Sequence, residues 1–318
     1  MTTPQPEFVR NFTQISKNDV ALAGGKGASL GEMTQAGISV PPGFVVFSTA
    51  FDHFITTANI KADIDAILHK VNHQEIHTVD AASEQIKAII LRQEMPKVIA
   101  DPVMKFFRDL GAKYVAVRSS ATAEDSSSAA WAGQLDTFLN TTEKEVLEKV
   151  KHCWASLFTP RAIFYRFEKG LHDQQISVAV VIQKMINSDI SGIAFSVHPV
   201  TQDRNQLIIE AGFGLGESIV SGQITPDGYV VEKTAWTIVD LNVSEQSKGL
   251  YRDPKGGNEW RDFSSEEGGK QKLSGKQIIE LAQLVVKIEK HYGFPVDIEW
   301  AVEGNTFYIT QSRPITTL

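Results

Sequence analysis

The chain has 318 residues, of which 42% are hydrophobic and 22% charged, with 23 glycines and 12 prolines. These values are typical of a globular protein and exclude collagen-like, coiled-coil and broadly disordered chains. The length predicts one large bilobal unit or two domains. The net charge of −7, with no dense cluster of lysine and arginine, argues against a nucleic-acid-binding surface.

The single cysteine, Cys153, excludes a disulfide framework and a cysteine-based zinc site within one chain. Its spacing on a predicted helix favours a packed thiol over a nucleophile. No stretch approaches the ~18 apolar residues of a membrane span, and the first ten residues lack the apolar core of a signal peptide. We therefore expect a soluble, cytoplasmic protein.

The first half of the chain predicts helices mixed with strands. A glycine loop at 22–27 leads into a short helix, and an apolar strand follows at 43–47. Residues 60–110 have apolar positions at helical spacing and predict a helical insert. A buried strand at 114–118 ends in a polar segment, and two further helices follow.

The second half is rich in strands. Three β-type runs separated by turn residues occupy 177–211. Residues 244–272 are polar and glycine-rich, which is typical of a mobile loop or a hairpin. A long amphipathic helix capped by Ser274 and two final strands complete the pattern. The order of elements predicts an α+β fold with two lobes around a cleft.

The glycine-rich segment Gly24-Gly-Lys-Gly27 invites comparison with a P-loop, in which Ser or Thr directly follows the lysine and holds Mg²⁺. Gly27 occupies that position, which argues against a P-loop. A glycine-flanked lysine at a helix start still binds phosphate through backbone amides, the helix dipole and its ammonium group. The alternative for Lys26 is a solvated turn lysine.

A second candidate is Arg118, which follows apolar strand residues. We expect its guanidinium to emerge at the tip of the strand, where an arginine suits phosphate oxygens. The small residues from Ser126 to Gly133 are typical of a flap that closes over a polyanion. The alternative is a salt-bridged strand end beside a disordered loop.

The third candidate is the pattern Asp297-x-Glu299, which places both carboxylates on one face of a strand. Neighbouring carboxylates repel unless a cation or a shared proton offsets their charge, and Mg²⁺ with phosphates is the simplest remedy. A three-residue loop at 303–305 would place Asp297 opposite Gln311, whereas a two-residue loop would put Gln311 on the other face. The metal hypothesis therefore predicts the three-residue loop; the alternative is a solvated acidic strand.

Two weaker patterns have simpler explanations. His69, His73 and His77 recur every four residues, but a solvated helix face explains them better than a metal site. Gly212-x-Gly214-x-Gly216 is a weak dinucleotide signal without a Rossmann context. It favours a close approach of the backbone to a ligand or a strand, with Glu217 available for a ribose hydroxyl.

Together these segments resemble the N-terminal nucleotide-binding domain of the phosphoenolpyruvate synthase / pyruvate, phosphate dikinase family, which rifampin phosphotransferases share. The resemblance covers nearly the whole chain and implies an ATP-grasp fold, with lobes at 1–185 and 186–318 that enclose ATP. Five stretches carry it: Gly24-Gly-Lys-Gly-Ala-Ser-Leu-Gly31, Ala116-Val-Arg-Ser-Ser-Ala-Thr-Ala-Glu-Asp125, Ala132-Gly-Gln-Leu-Asp-Thr-Phe-Leu-Asn140, Gly214-Leu-Gly-Glu217 and Gln311-Ser-Arg-Pro314.

By position, the resemblance implies which residues contact the phosphates of ATP. Lys26, Arg118 and Arg313 would contact the phosphates and act in catalysis, and Gly133 and Thr137 would belong to the flap over them.

The same resemblance implies the nucleoside contacts. Gln183 and Met185 would line the adenine slot, and Glu217 would lie near the ribose.

For the cofactor, the resemblance implies that Glu299 and Gln311 hold Mg²⁺, with Asp297 close by. In this family ATP gives its β-phosphoryl group to a histidine on a separate swivelling domain, leaving AMP and phosphate. The phosphohistidine then reacts with pyruvate, or with the antibiotic, on a third domain.

The family's acceptor histidine lies in a T-x-G-G-x-x-x-H-A-type segment, and none of the eight histidines here occupies one. We interpret His198 as a loop variant. We therefore expect the ATP·Mg-binding part of an ATP-dependent phosphotransferase with paired acceptors, incomplete without a phosphohistidine domain and an acceptor-binding domain that act in trans or are lost by truncation. The alternatives are the same domain of a rifampin phosphotransferase and a non-catalytic nucleotide-binding regulatory module. No nucleic acid or membrane partner is expected.

Overall fold

The computed structural model describes residues 7–122, 125–126, 129–130, 136–171 and 176–316. The chain divides into two compact units, and each of them mixes helices and strands. Residues 1–32 and 42–185 form the first unit, and residues 33–41 and 186–318 form the second. The short segment 33–41, which the sequence places in the first lobe, thus packs with the second unit.

The helices of the first unit come mainly from the predicted helical insert and from the segment that follows the flap. Helix α1 begins in the first unit, and its last three residues belong to the second. The helices are α1 (Val20–Gln35), α2 (Ser48–Thr57), α3 (Lys61–Leu68), α4 (Ile76–Leu91), α5 (Lys97–Leu110), α6 (Val146–Ala155) and α7 (Pro160–Glu168). Fully buried Trp154 and Phe54 pack with their ring centroids 4.9 Å apart in the core below these helices.

The sheet of the first unit contains five strands in the order β1-β2-β7-β3-β6 within the described residues. The strands are β1 (Val9–Asn11), β2 (Gly43–Val46), β3 (Val115–Ala121), β6 (Thr137–Thr141) and β7 (Val178–Lys184), and a separate short pair is formed by β4 (Asp125–Ser126) and β5 (Ala129–Ala130). β3 and β7 are almost entirely buried, because both lie inside the sheet, although β3 carries Arg118, Ser119 and Ser120 as well as apolar residues.

The second unit contains an antiparallel sheet of six described strands in the order β11-β10-β9-β8-β14-β15. The strands are β8 (Ile190–Phe195), β9 (Gln206–Phe213), β10 (Asp227–Glu232), β11 (Thr237–Asn242), β14 (Val296–Glu303) and β15 (Thr306–Pro314). Helix α10 (Gly275–Tyr292) begins with the predicted Ser274–Gln277 capping box. Its buried residues, which include Leu281 and Val285, cover one face of this sheet.

The polar segment 244–272, for which the sequence predicts a loop or a hairpin, contains a hairpin. β12 (Lys248–Arg252) pairs antiparallel with β13 (Asn258–Asp262), and the short helix α9 (Ser265–Gly268) follows. A further short helix, α8 (Glu217–Val220), lies between β9 and β10. Across the described ranges, none of the helices is both long and apolar enough to span a bilayer.

Candidate functional site

Lys26 lies just after a break in α1. Gly24 has the non-helical angles φ 67° and ψ 172°, so a second helical segment begins after it. A Cβ atom on Gly24 would overlap the hydroxyl and carbonyl oxygens of Ser120. The Gly27 amide lies 3.4 Å from Ser120 Oγ, to which it donates. The end of β3 thus holds the first turn of the new helix, and half-buried Lys26 projects from that turn.

Arg118 lies inside β3 and not at a strand tip, so this prediction was wrong. The strand continues to Ala121, paired with β7 throughout. The polar residues after Arg118 remain in the strand because their hydroxyls find partners: Ser119 Oγ donates to the Asp136 carbonyl at 3.0 Å and lies 3.1 Å from Ser156 Oγ. Arg118 itself is only 8% exposed.

A buried amide accompanies Arg118. Arg118 Nη1 donates to Gln183 Oε1 at 3.4 Å, and Gln183 is 3% exposed. Gln183 Nε2 is buried without a hydrogen-bond partner in the described part of the chain. An unsatisfied buried donor costs about 1–3 kcal/mol, so this nitrogen is available to an acceptor that a ligand or a water molecule would supply.

Two other predicted residues of the first unit lie near Arg118 and Gln183: Thr137 through the strand register and Met185 through the sequence. Thr137 of β6 pairs directly with Arg118 and is exposed. Met185 follows β7, is half-buried, and donates its amide to the Tyr114 carbonyl at 3.1 Å. Gly133 lies outside the described residues.

The register between β14 and β15 brings the predicted metal residues together by a route that the sequence did not predict. Glu303 pairs with Thr306, so the loop has two residues and the predicted three-residue loop was wrong. A β-bulge after Glu299 leaves Thr310 as an extra residue, and beyond it Glu299 pairs with Gln311 and Asp297 with Arg313. Without the bulge, the short loop would turn Gln311 to the opposite face.

We call the sheet face that bears Asp297, Glu299, Gln311 and Arg313 the carboxylate face. Arg313 Nε and Nη2 both lie 2.7 Å from Asp297 Oδ2. Burial raises the pKa of the Asp297 carboxyl, Arg313 opposes that shift, and the neighbouring carboxylate of Glu299 adds to it. Gln311, which pairs with Glu299, is only 6% exposed.

Glu217 starts the short helix α8, directly after the glycine-rich loop. Its carboxylate is exposed and accepts a hydrogen bond from Asn258 Nδ2 at 3.3 Å. Partial desolvation still raises the pKa of this carboxyl.

One site residue was missed by the sequence analysis. Glu210 of β9 pairs with Ile193 of β8, which in turn pairs with Glu299, so Glu210 lies on the carboxylate face. Burial alone raises the pKa of its carboxyl. The available signal in the sequence was an acidic residue within the otherwise apolar run from Leu207 to Ala211.

The histidines do not form a site within the described residues. His69 follows α3, His73 lies between helices and His77 lies in α4, so they form no common helical stripe. No group of three or more potential metal-ligating His, Cys, Asp and Glu side chains occurs in the described ranges. His198 Nδ1 accepts hydrogen bonds from the Val200 and Thr201 amides at 3.3 and 3.2 Å, which fits its interpretation as a loop residue.

Comparison with known families gives a match over residues 20–318 to the model described as "Pyruvate phosphate dikinase, AMP/ATP-binding domain". A probable phosphoenolpyruvate synthase of Archaeoglobus fulgidus is 46% identical over 96% of this chain and 41% of its own length. The phosphoenolpyruvate synthase of Pyrococcus furiosus is 40% identical over 98% of this chain and 44% of its own length. A rifampicin phosphotransferase of Bacillus cereus is 40% identical over 98% of this chain and 36% of its own length.

The chain thus spans less than half the length of these relatives. Among solved structures, a D-alanine-D-alanine ligase from Helicobacter pylori aligns with 64% of this chain and 43% of its own at 15% identity, with a TM-score of 0.28. That likeness is too weak to define the fold.

Proposed function

Since the chain belongs to the family of pyruvate phosphate dikinase AMP/ATP-binding domains, we propose that it binds ATP with Mg²⁺ in an ATP-grasp arrangement. The β-phosphoryl group of the bound ATP passes to a histidine on a separate domain. The α–β and β–γ bonds both break, and a water molecule takes up the γ-phosphoryl group, so that AMP and inorganic phosphate are left. The reaction is that of a phosphoenolpyruvate synthase-type phosphotransferase.

The observation that carries this proposal is the register of β14 and β15. Glu299 and Gln311 are directly opposite each other on the carboxylate face, with Asp297 two residues away. Carboxylate and amide oxygens suit Mg²⁺, which commonly takes one or two protein carboxylates together with phosphate oxygens. Glu299 and Gln311 would hold the ion, and Asp297 would orient Arg313 beside it. A magnesium ion held there would neutralise part of the phosphate charge.

The residues of the first unit suit the phosphates themselves. Lys26 projects from a helix start, where amide hydrogens and the helix dipole favour anions. Arg118 is buried, and a guanidinium in a low-dielectric environment attracts phosphate oxygens more strongly than one in water. Because phosphoryl transfer depends mainly on positioned cations, we propose that Lys26, Arg118 and Arg313 stabilise the charge that develops on the transferring group.

The nucleoside contacts follow from the same family membership. Gln183 Nε2, a buried donor without a partner in the described part of the chain, is available to an acceptor on the base or the phosphates. Met185 would contact the adenine, Glu217 the ribose, and Thr137 and Gly133 the closing flap.

Calorimetric titration with ATP and Mg²⁺ tests the assignment. Arg118→Ala and Glu299→Ala should each weaken binding by about tenfold or more, because hydrogen bonds to charged groups are worth about 1.5–3 kcal/mol. The matched controls are exposed Lys105→Ala on α5 and exposed Glu280→Ala on α10. Binding at the wild-type level in both site variants would refute the site.

The acceptor is tested separately, because the second candidate is a nucleotide-binding regulatory module. A phosphohistidine domain from a relative is added in trans with [β-³²P]ATP. Label on that domain supports the transferase, whereas ATP binding without label supports the regulatory module.

A further inference from the structure

The loop before Glu217 is held from several sides. The Gly214 amide donates to the Asp189 carbonyl at 2.9 Å. The hydroxyls of Ser188 and Ser191 both donate to the Gly214 carbonyl, at 3.0 and 2.6 Å. These bonds fix the inner side of the loop to the start of β8.

Gln246 holds the end of β9, at Phe213. It is 2% exposed, its Oε1 accepts from the Phe213 amide at 2.8 Å, and its Nε2 donates to the Phe213 carbonyl at 3.0 Å. Nε2 also donates to the Lys248 carbonyl at 3.0 Å. The Gln246 side chain therefore satisfies the backbone amide and carbonyl of Phe213, as a neighbouring strand would. It also connects Phe213 to the beginning of β12.

The β12–β13 hairpin is attached to the same loop. The Leu215 amide donates to the Leu250 carbonyl at 2.8 Å, and Gly214 forms a parallel bridge with Leu250. The ring of Phe263, just after β13, packs edge-on against Phe213 with centroids 5.5 Å apart. The hairpin is thus attached to the loop by backbone contacts at Leu250 and by the packing of Phe263 against Phe213.

From this fixed hairpin Asn258 reaches the carboxylate of Glu217. The Nδ2–Oε2 distance is 3.3 Å. The contact orients one carboxylate oxygen and leaves lone pairs on the other for hydroxyl donors.

We propose that Gln246 and Asn258 are positioning residues for Glu217, and that the connection between β11 and α10 thereby determines the preference for ribonucleotides over 2′-deoxyribonucleotides. The inference rests on the proposed function, in which Glu217 accepts hydrogen bonds from the ribose. A site built to bond a hydroxyl group discriminates against the analogue that lacks it only if its acceptor is held in place.

The test compares the dissociation constants of ATP and 2′-deoxyATP with Mg²⁺ in wild type, Glu217→Gln, Asn258→Ala and Gln246→Leu. Asn258→Ala should reduce the preference for ATP by about threefold to tenfold and leave 2′-deoxyATP binding within about twofold, because Glu217 remains as the acceptor and loses only the contact that orients it. Gln246→Leu should reduce the same preference. The control is Asn242→Ala, an exposed amide on β11.

Because Gln246 is buried, its variant is read alongside a thermal unfolding curve, and exposed Asn258 keeps the test independent of folding. A preference lost in Glu217→Gln but retained in Asn258→Ala would overturn the inference and leave the proposed function intact. Wild-type protein that binds no ATP would refute both.

Discussion

Glu210 shows how one side chain on the carboxylate face affects the stability of the fold. Its carboxylate makes no hydrogen bond or ion pair with another described residue, and burial raises the pKa of this carboxyl above the ordinary value of 4.5. A carboxyl with a raised pKa in the folded state prefers to be protonated there. Its ionisation therefore destabilises the fold, and stability is lost as the pH rises from the unfolded pKa through the folded one.

We predict that Glu210→Gln raises the free energy of unfolding at pH 7 by up to about 1 kcal/mol, because the neutral amide removes this cost. The gain should vanish below about pH 4, where the wild-type carboxyl is protonated in both states. Urea unfolding at several pH values measures it. Exposed Glu280→Gln is the control, and a gain at pH 7 that persists at pH 4 would contradict the electrostatic origin.

The residue types at the candidate site could be predicted from the sequence, but their environments could not. Arg118 and Gln183 are recognisable as polar residues in or beside apolar runs. The 3.4 Å contact between them depends on the pairing of β3 with β7, and the paired positions of these strands are at least 57 residues apart along the chain. The buried, unpartnered Gln183 donor depends on the same pairing.

Among the elements, β15 shows the limit of pattern reasoning. The alternation of apolar residues predicted both final strands and the shared face of Asp297 and Glu299. The position of Gln311 depends on loop length and on the bulge together, and a bulge has no composition that distinguishes it. A three-residue loop and a two-residue loop with a bulge both bring Gln311 to the same face. Only the three-dimensional structure shows which of the two is present.

Helix α1 supplies a prediction at this scale. Gly24 and Gly37 both have positive φ, but a Cβ on Gly24 would overlap Ser120, whereas one on Gly37 would meet nothing within 4 Å. Gly37→Ala should cost only the strain of the left-handed conformation, about 1–2 kcal/mol. Gly24→Ala should cost about 1–3 kcal/mol more through overpacking and should also weaken ATP binding, because Lys26 follows the break.

Chemical unfolding and ATP titration of the two variants measure this difference. Equal losses of stability in both would show that the contact with Ser120 does not constrain the start of the helix.

At the scale of the whole molecule, family membership and the mixed fold class followed from the sequence, because long motifs in order are specific. The assignment of residues 33–41 did not, since it depends on contacts between distant parts of the chain. The Ile309 amide donates to the Ser39 carbonyl at 2.8 Å, and Ile38 is 5% exposed. A segment between α1 and β2 thus contributes to the second unit.

We predict that Ile38→Ala destabilises the second unit by about 2–4 kcal/mol, the usual cost of truncating a buried isoleucine. Hydrogen exchange should rise in α10, β14 and β15 more than in α2 and α4. Ile86→Ala, at a fully buried position in α4, should give the opposite pattern. Equal acceleration of both units in both variants would show that they unfold as one.

The burial of Cys153 has a practical consequence. This thiol is the only one in the sequence, is fully buried, and has its pKa raised by burial to about 12. Thiolate is the reactive form, so maleimide reagents should not modify the native chain. A cysteine introduced at Asn258 or at Glu280 can therefore carry a fluorophore or spin label without background, and the wild-type chain, whose thiol does not react, serves as the unlabelled reference.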